Sequence, residues 1–261
     1  MLLAVDIGNT NITLGVFDDS ADDGPPYVPR ATWRISTQPE RMPDEYGSLL
    51  NNLLPLRGVS PRDLTAVAMC SVVPPLTAGF VDLCKTYFSL EPMVVGAGVK
   101  TGIRVLYDSP RDVGSDRIVD AAAAMKLYGG PAVIVDFGTA TVFDAVSGAG
   151  EYVGGAIAPG MAVAADALFH SASQLRRVEL ERPPAAIGKN TVPAMQSGLV
   201  LGYAELVKGM VARFDNELGG GSKVIGTGGL ADVIAKEAAI FDAINQDLTL
   251  AGLRIIHEMN L

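Results

Sequence analysis

Residues 1–17 read MLLAVDIGNTNITLGVF. An apolar strand over residues 2–5 leads into a turn that holds one carboxylate, Asp6, one glycine, Gly8, and the small polar residues Asn9, Thr10 and Asn11. A second strand over residues 12–17 then alternates apolar with small or polar positions. Two strands joined in this way make a hairpin whose tip can hold a ligand. Gly8 lets the backbone come close, the amides and hydroxyls of Asn9, Thr10, Asn11 and Thr13 are donors for phosphate oxygens, and Asp6 can hold a hydrated Mg²⁺. An ordinary polar hairpin has the same composition, so on this run alone both readings stand.

The same plan returns at residues 132–146, AVIVDFGTATVFDAV: apolar strand, Asp136, one apolar residue, Gly138, Thr139, then a second strand. Asp6 and Asp136 are 130 positions apart in a chain of 261. That period is too long for a solenoid and suits two copies of one domain. Two similar turns can arise by chance, but the matching strand on each side of both favours duplication. A third glycine-rich turn, GTGG at 226–229, follows an expected strand at 223–225 and precedes an expected helix at 230–238. Such a turn lets part of a nucleotide lie against the backbone. Alone it is weak; as the third of a set it counts for more.

Between these turns the chain alternates strand and helix, the pattern of an α/β protein. Residues 18–30 (DDSADDGPPYVPR) read as a long exposed hairpin loop with no evident chemistry. A strand over 31–36 carries the only tryptophan, Trp33; a helix over 44–56 starts with Asp44 and Glu45 at its positive end. A buried strand over 64–73 stops at Pro74-Pro75, and a helix to about residue 88 and a short strand at 93–95 follow. The alanine run at 121–124 is strongly helical, with Gly114-Ser115 where that helix begins. Asp116 then lies in the first turn, where the helix dipole favours a carboxylate. That is a sufficient structural reason for it; the neighbouring Arg117 and the glycine before it also leave room for a substrate. Beyond residue 146 the pattern predicts a strand over 151–158, a helix over 161–173, a loop over 182–190, a long helix over 191–218 capped by Thr191, and a final helix over 248–259. Gly198 and Gly202 give the long helix a face small enough for close packing.

Composition narrows the class of function. Hydrophobic residues at 49% and charged residues at 19% describe an ordinary globular protein. The net charge of −9 and the absence of a Lys/Arg cluster argue against nucleic acid as a partner. Any phosphorylated ligand must then be met largely by backbone amides and a metal. Cys70 and Cys84, the only cysteines, have no metal-binding spacing and read as free thiols in a reducing cytoplasm. The first residues have no basic lead and their apolar run breaks at Asp6, so neither a signal peptide nor a membrane span is expected. His170 and His257 lack metal partners in sequence and read as surface or packing residues.

The three turns, in this order, resemble the phosphate-1, phosphate-2 and adenosine turns of the actin-like ATPase superfamily, whose members include actin, heat-shock chaperones, and sugar and acetate kinases. In finer detail the chain resembles the type III pantothenate kinases. The matching pieces are DIGNT at 6–10, RIST at 34–37, DEY at 44–46, SVVP at 71–74, Tyr107, GSDR at 114–117, VDFGTA at 135–140, GGAIAPG at 154–160, IGKNT at 187–191 and GTGG at 226–229. The resemblance spans almost the whole chain, with only the loop at 18–30 longer than usual. It implies two duplicated ribonuclease H-like, actin-like ATPase domains (1–114 and 115–261) with a nucleotide cleft between them. It also implies ATP-dependent phosphorylation of pantothenate to 4′-phosphopantothenate, the first step of coenzyme A biosynthesis.

By that resemblance Asp6, Ile7, Gly8, Asn9, Thr10, Asn11, Ile12 and Thr13, with Thr139, bind ATP, and Asp6 helps hold Mg²⁺ through water. Asp116 is the general base, and Tyr107, Gly114, Ser115 and Arg117 hold pantothenate with it. Asp136 coordinates K⁺ or NH₄⁺. Thr191 reaches the pantothenate of a neighbouring subunit, which implies a homodimer with shared sites. The rival readings are another small-molecule kinase of the superfamily, which predicts a different acceptor site at 114–117, and a non-catalytic regulatory homologue, which predicts loss of Asp6, Asp116 or Asp136. All three aspartates are present.

Overall fold

The computed structural model describes residues 1–19 and 27–261; residues 20–26 of the expected loop at 18–30 lie outside the described residues. The opening run pairs as its alternation predicts. β1 (Leu2–Ile7) and β2 (Asn11–Phe17) are antiparallel, with Asp6 opposite Thr13, and β3 (Ala31–Ser36) adds to β2. β4 (Ala66–Ser71) runs parallel to β1 and sets Cys70 beside Asp6, and β5 (Met93–Val94) pairs with β4. The sheet order is β3-β2-β1-β4-β5.

Both faces of this sheet are covered, which is why β1 is apolar along nearly its whole length. Leu3, Val5 and Ile7 pack with Leu50 of α1 (Pro43–Leu53) and Phe80 of α2 (Pro74–Leu83). On the other face Leu2, Ala4 and Cys70 meet Val119 and Ala122 of α3 (Ser115–Tyr128) and Leu250 and Leu253 of the C-terminal helix (Leu248–Met259). The alanine run lets α3 lie close. Gly252 of the C-terminal helix is held against Val119, where an added Cβ would strike the Val119 carbonyl oxygen.

A second sheet repeats the first. β7 (Ala132–Phe137), β8 (Ala140–Val146) and β9 (Glu151–Pro159) form an antiparallel meander, β10 (Lys223–Thr227) runs parallel to β7, and β11 (Ala243–Ile244) pairs with β10. The short β6 (Arg104–Val105) adds a sixth strand beside β9. The order β11-β10-β7-β8-β9-β6 matches that of the first sheet strand for strand, apart from β6. The helices of this part are α4 (Met161–Ser171), α5 (Thr191–Gln196), α6 (Gly202–Glu217) and α7 (Ala231–Ala238), with the C-terminal helix of the first part as α8. Val133, Val135 and Phe143 pack with Val200, Val207, Val211 and Ile234.

The described residues divide into two compact units, one of residues 1–103, 109–126 and 247–261, the other of 104–108 and 127–246. These units do not coincide with a linear partition at residue 114, because α3 and α8 carry the apolar residues that cover the first sheet. Other differences are local. The helix expected over 44–56 ends at Leu53 and tightens into a 3₁₀ turn, Leu54–Arg57, that contains Pro55. The strand expected over 64–73 is confined to Ala66–Ser71 and follows a 3₁₀ turn, Pro61–Asp63. The long helix expected over 191–218 is α5, a π segment (Ser197–Leu201) and α6. Asn190, not Thr191, occupies its N-cap position. A Cβ built at Gly198 or Gly202 meets nothing within 4 Å among the described residues, so packing among those residues does not explain these glycines.

Candidate active site

In the first unit the turn after β1 is closed by Gly8 N–H donating to the Asn11 carbonyl at 3.0 Å. Thr37, just past β3, braces it from outside: its Oγ1 donates to the Gly8 carbonyl at 2.6 Å and its N–H to the Thr10 carbonyl at 3.0 Å. Asn9, Thr10 and Asn11 are exposed at the tip, Asp6 and Thr13 are half-buried, and Ile7 and Ile12 turn their side chains into the core. Residues 6–13 are thus brought together, the two isoleucines contributing main chain and packing. Thr37 belongs to the RIST motif at 34–37, but its grip on Gly8 depends on β2–β3 pairing and is not visible locally.

Beside this turn, the parallel register of β1 and β4 puts Cys70 next to Asp6, and Cys70 Sγ donates to Asp6 Oδ1 at 3.5 Å. Burial, with Asp6, Asp116 and Asp120 nearby, raises the thiol pKa well above its usual value, so it remains a protonated donor. The next residue, Ser71, ties β4 to α3. Its N–H donates to Ser115 Oγ at 3.2 Å, and Ser115 Oγ donates to the Ser71 carbonyl at 3.2 Å.

Ser115 therefore fixes the first turn of α3 to the end of the strand. At that turn Asp116 Oδ1 accepts the Arg117 N–H at 2.9 Å. A Cβ at Gly114 would displace the Asp116 carboxylate from where it stands, so the glycine leaves that orientation open. Burial raises the Asp116 pKa, while the hydrogen bond from the Arg117 backbone and the Arg117 charge oppose the rise. One helical turn on, the buried Asp120 accepts a hydrogen bond from Thr249 Oγ1 of α8 at 2.7 Å. The strand ends and the start of α3 thus gather Asp6, Ser115, Asp116 and Arg117 around Cys70 and Ser71. In sequence Cys70 reads only as a free thiol and Ser71 only as the start of SVVP, since nothing but strand register links them to the site.

The second unit builds its own turn in the same way, with Gly138 N–H donating to the Ala140 carbonyl at 3.0 Å. Asp136, at the end of β7, lies between two glycines. A Cβ at Gly138 would come within 3.4 Å of its Oδ2, and one at Gly228 would strike Oδ1 and come within 2.6 Å of the Phe137 nitrogen. Gly228 also holds φ at +88°, a left-handed conformation that favours glycine. The GTGG turn thus packs directly on the second aspartate. Gly160 closes over Thr139, its N–H donating to the Thr139 carbonyl at 3.1 Å. Tyr107, just beyond β6, covers Gly154 of β9 and stacks at a tilt on Tyr152, whose hydroxyl donates to the buried Asp144 at 2.7 Å. Thr191 is exposed at the first position of α5. The histidines take no part in either group. His170 meets the edge of Phe169, and burial lowers the pKa of His257.

The donors bear on which cations this chain suits. No group of three or more His, Cys, Asp or Glu able to hold a metal occurs among the described residues. Asp6 and Asp136 are hard oxygen donors, each beside a turn with close backbone. This suits a cation held by one carboxylate, with waters or ligand oxygens completing its shell, rather than an all-protein cage. Among the described residues no helix is long and apolar enough to cross a membrane.

Comparison with known proteins bears on the chemistry. The sequence matches the family model described as type III pantothenate kinase over residues 2–213. The type III pantothenate kinase of Roseiflexus sp. (strain RS-1) is 50% identical over 260 residues, covering 100% of this chain and 99% of that one. That of Anaeromyxobacter sp. (strain Fw109-5) is 51% identical over 260 residues and covers 100% of both. Among solved structures, a Campylobacter jejuni protein described as a conserved Baf family transcriptional activator aligns with a TM-score of 0.63 at 19% identity, covering 99% of this chain and 98% of its own. The inorganic polyphosphate/ATP-glucomannokinase of Arthrobacter sp. strain KM aligns at 0.51 and 12%, covering 100% and 99%. Likeness at these identities concerns the fold alone. With the two sheets of matching order, the fold is the duplicated actin-like ATPase one.

Proposed function

The chain belongs to the type III pantothenate kinase family, and on that premise we propose that it transfers the γ-phosphoryl group of ATP to the hydroxyl of pantothenate, giving 4′-phosphopantothenate. The observation that carries the assignment to the site is the construction around Asp116: a half-buried carboxylate in the first turn of α3, made room for by Gly114 and set by the Ser71–Ser115 pair. Asp116 takes the proton of the attacking hydroxyl. Phosphoryl transfer has a loose transition state, so this carboxylate needs above all to be ionised and aligned, and a pKa raised by burial makes it a better acceptor than an exposed aspartate. Arg117, Gly114, Ser115 and Tyr107 hold the acceptor with it.

Residues 6–13 and Thr139 bind ATP. The exposed amides and hydroxyls of Asn9, Thr10 and Asn11 supply hydrogen bonds to phosphate that a chain of net charge −9 does not supply through a basic face. Asp6 holds Mg²⁺ through water and Asp136 holds K⁺ or NH₄⁺; bound there, these cations neutralise phosphate charge. We place the reaction in the cytoplasm, where the two free, buried cysteines remain thiols, and assign the protein no nucleic-acid partner.

The active species is a homodimer in which Thr191 reaches the partner's acceptor. Supporting this, Gly202, Leu206 and Gly209 share one face of α6; both glycines have open space where a Cβ would stand, and Leu206 is exposed. Purified protein given ATP, Mg²⁺, K⁺ and pantothenate should release ADP in step with phosphorylated product. Turnover no greater than that of a heat-killed control would overturn the proposal.

A further inference from the structure

Cys70 has no place in the proposed chemistry, yet its side chain touches Asp6. It is 0% exposed, so it is neither a nucleophile nor an oxidation site. Apart from the aspartates nearby, it belongs to an apolar cluster with Leu2, Ala4 and Phe17. For core packing alone any small apolar residue would serve. The specific feature is the hydrogen bond: Sγ donates to Asp6 Oδ1, from the residue that the parallel register places beside it on β4.

We infer that Cys70 is a positioning residue for Asp6: by donating to Oδ1, its thiol fixes the carboxylate in the orientation that meets the hydrated divalent cation of the bound nucleotide. The inference rests on the reading of Asp6 as the cation's carboxylate. Groups that hydrogen-bond a ligating carboxylate orient it and tune its affinity. A thiol is a weak donor, but here it is out of reach of water and held by two paired strands, so its direction is set by the backbone. The next residue, Ser71, fixes α3 through Ser115, so the end of β4 serves both carboxylates.

The test uses the full chain with Mn²⁺·ADP as probe, its binding followed by the electron paramagnetic resonance of Mn²⁺, with no acceptor present. Cys70→Ala should weaken binding about tenfold, the lower end for a lost outer-shell hydrogen bond. Cys70→Ser, which keeps a donor, should recover most of that loss. Thermal melting should rank the two the other way, because a hydroxyl suits the apolar surroundings less than a methyl group. A residue that only fills the core would rank Ala above Ser in both measurements, and that result, or wild-type binding in Cys70→Ala, would overturn the inference.

A second readout needs no variant at Cys70. The S–H stretching band of the wild-type protein, distinguished from that of Cys84 by a Cys84→Ala protein, should lie at the frequency of a hydrogen-bonded thiol and move when Mg²⁺·ADP is added. A band at the free-thiol position, unmoved by nucleotide, would equally overturn it. Failure of the wild type to phosphorylate pantothenate would instead count against the acceptor assignment alone, since both readouts are taken without acceptor.

Discussion

At the residue scale the informative groups are those whose surroundings conflict with their charge or conformation. Burial raises the Asp116 pKa, so protonation favours the folded state. That stabilisation is complete below the unfolded pKa and lost as pH rises through the folded one. At neutral pH the folded chain therefore carries an ionised carboxylate in a less favourable place than it has when unfolded. Asp116→Asn should lower kcat by about 10²–10⁴, the usual worth of a positioned base, and should raise Tm at pH 7. Melting followed across pH checks the sign: the gain should shrink as pH falls through the folded pKa of Asp116. Gly228 provides a stability counterpart. Gly228→Ala sets a Cβ against the Asp136 carboxylate and the Phe137 backbone at positive φ, whereas Gly219→Ala, at φ +93°, meets only open space. The control should lose about 1–2 kcal/mol in urea unfolding, the cost of the left-handed backbone alone. Gly228→Ala should lose more and should also blunt activation by K⁺. Asp6, Asp136 and the glycines beside them were legible in sequence because they repeat. Cys70 and Thr37 were not, because their contacts cross between strands distant in sequence.

At the element scale the start of α3 depends on strand β4. The Ser115 hydroxyl donates a hydrogen bond to the Ser71 carbonyl and accepts one from the Ser71 N–H, so its side chain is committed to joining the two elements. Its influence on the acceptor then passes chiefly through the main chain of the first turn. Ser115→Ala should lower kcat more than it raises KM for pantothenate, cost about 1–2 kcal/mol in stability, and speed hydrogen exchange at the first amides of α3; Ser115→Thr should retain most of each. A rise in KM with kcat unchanged would instead show the hydroxyl on the substrate. The helices and long strands were readable because their apolar spacing and their proline and glycine limits are local signals. Others were not. β6 and β11 have two residues each and exist through their neighbours β9 and β10. The π segment at Ser197–Leu201 keeps helical composition and changes only which carbonyl each amide meets, so residues 191–218 read as one helix.

At the scale of the whole molecule, duplication explains most of the architecture, and it was legible from two short turns because each turn sits at a fixed place in a sheet of the same strand order. The packing units were less legible. The resemblance implies domains of 1–114 and 115–261, whereas a packing unit takes in each helix by what its apolar face covers, and α3 and α8 cover the first sheet. The same reasoning applies to a small-residue face left open among the described residues. Gly202 and Gly209, with the partly exposed Leu206 between them, form such a face on α6, where an alanine would fit without strain in the single chain. Replacing a helical glycine with alanine raises helix stability by about 0.5–1 kcal/mol, so Gly202→Ala with Gly209→Ala should stabilise an isolated chain. If these glycines instead admit the backbone of a second copy, the added methyl groups hold the two helices apart. The double variant should then sediment as a monomer at concentrations where the wild type is a dimer, while its chains melt no lower than wild-type chains diluted to monomer. On the proposal that Thr191 completes the partner's acceptor site, the same variant should lose pantothenate turnover while keeping its affinity for Mn²⁺·ADP. A fully dimeric double variant would move the interface elsewhere and leave the open glycines as a surface with no role in assembly.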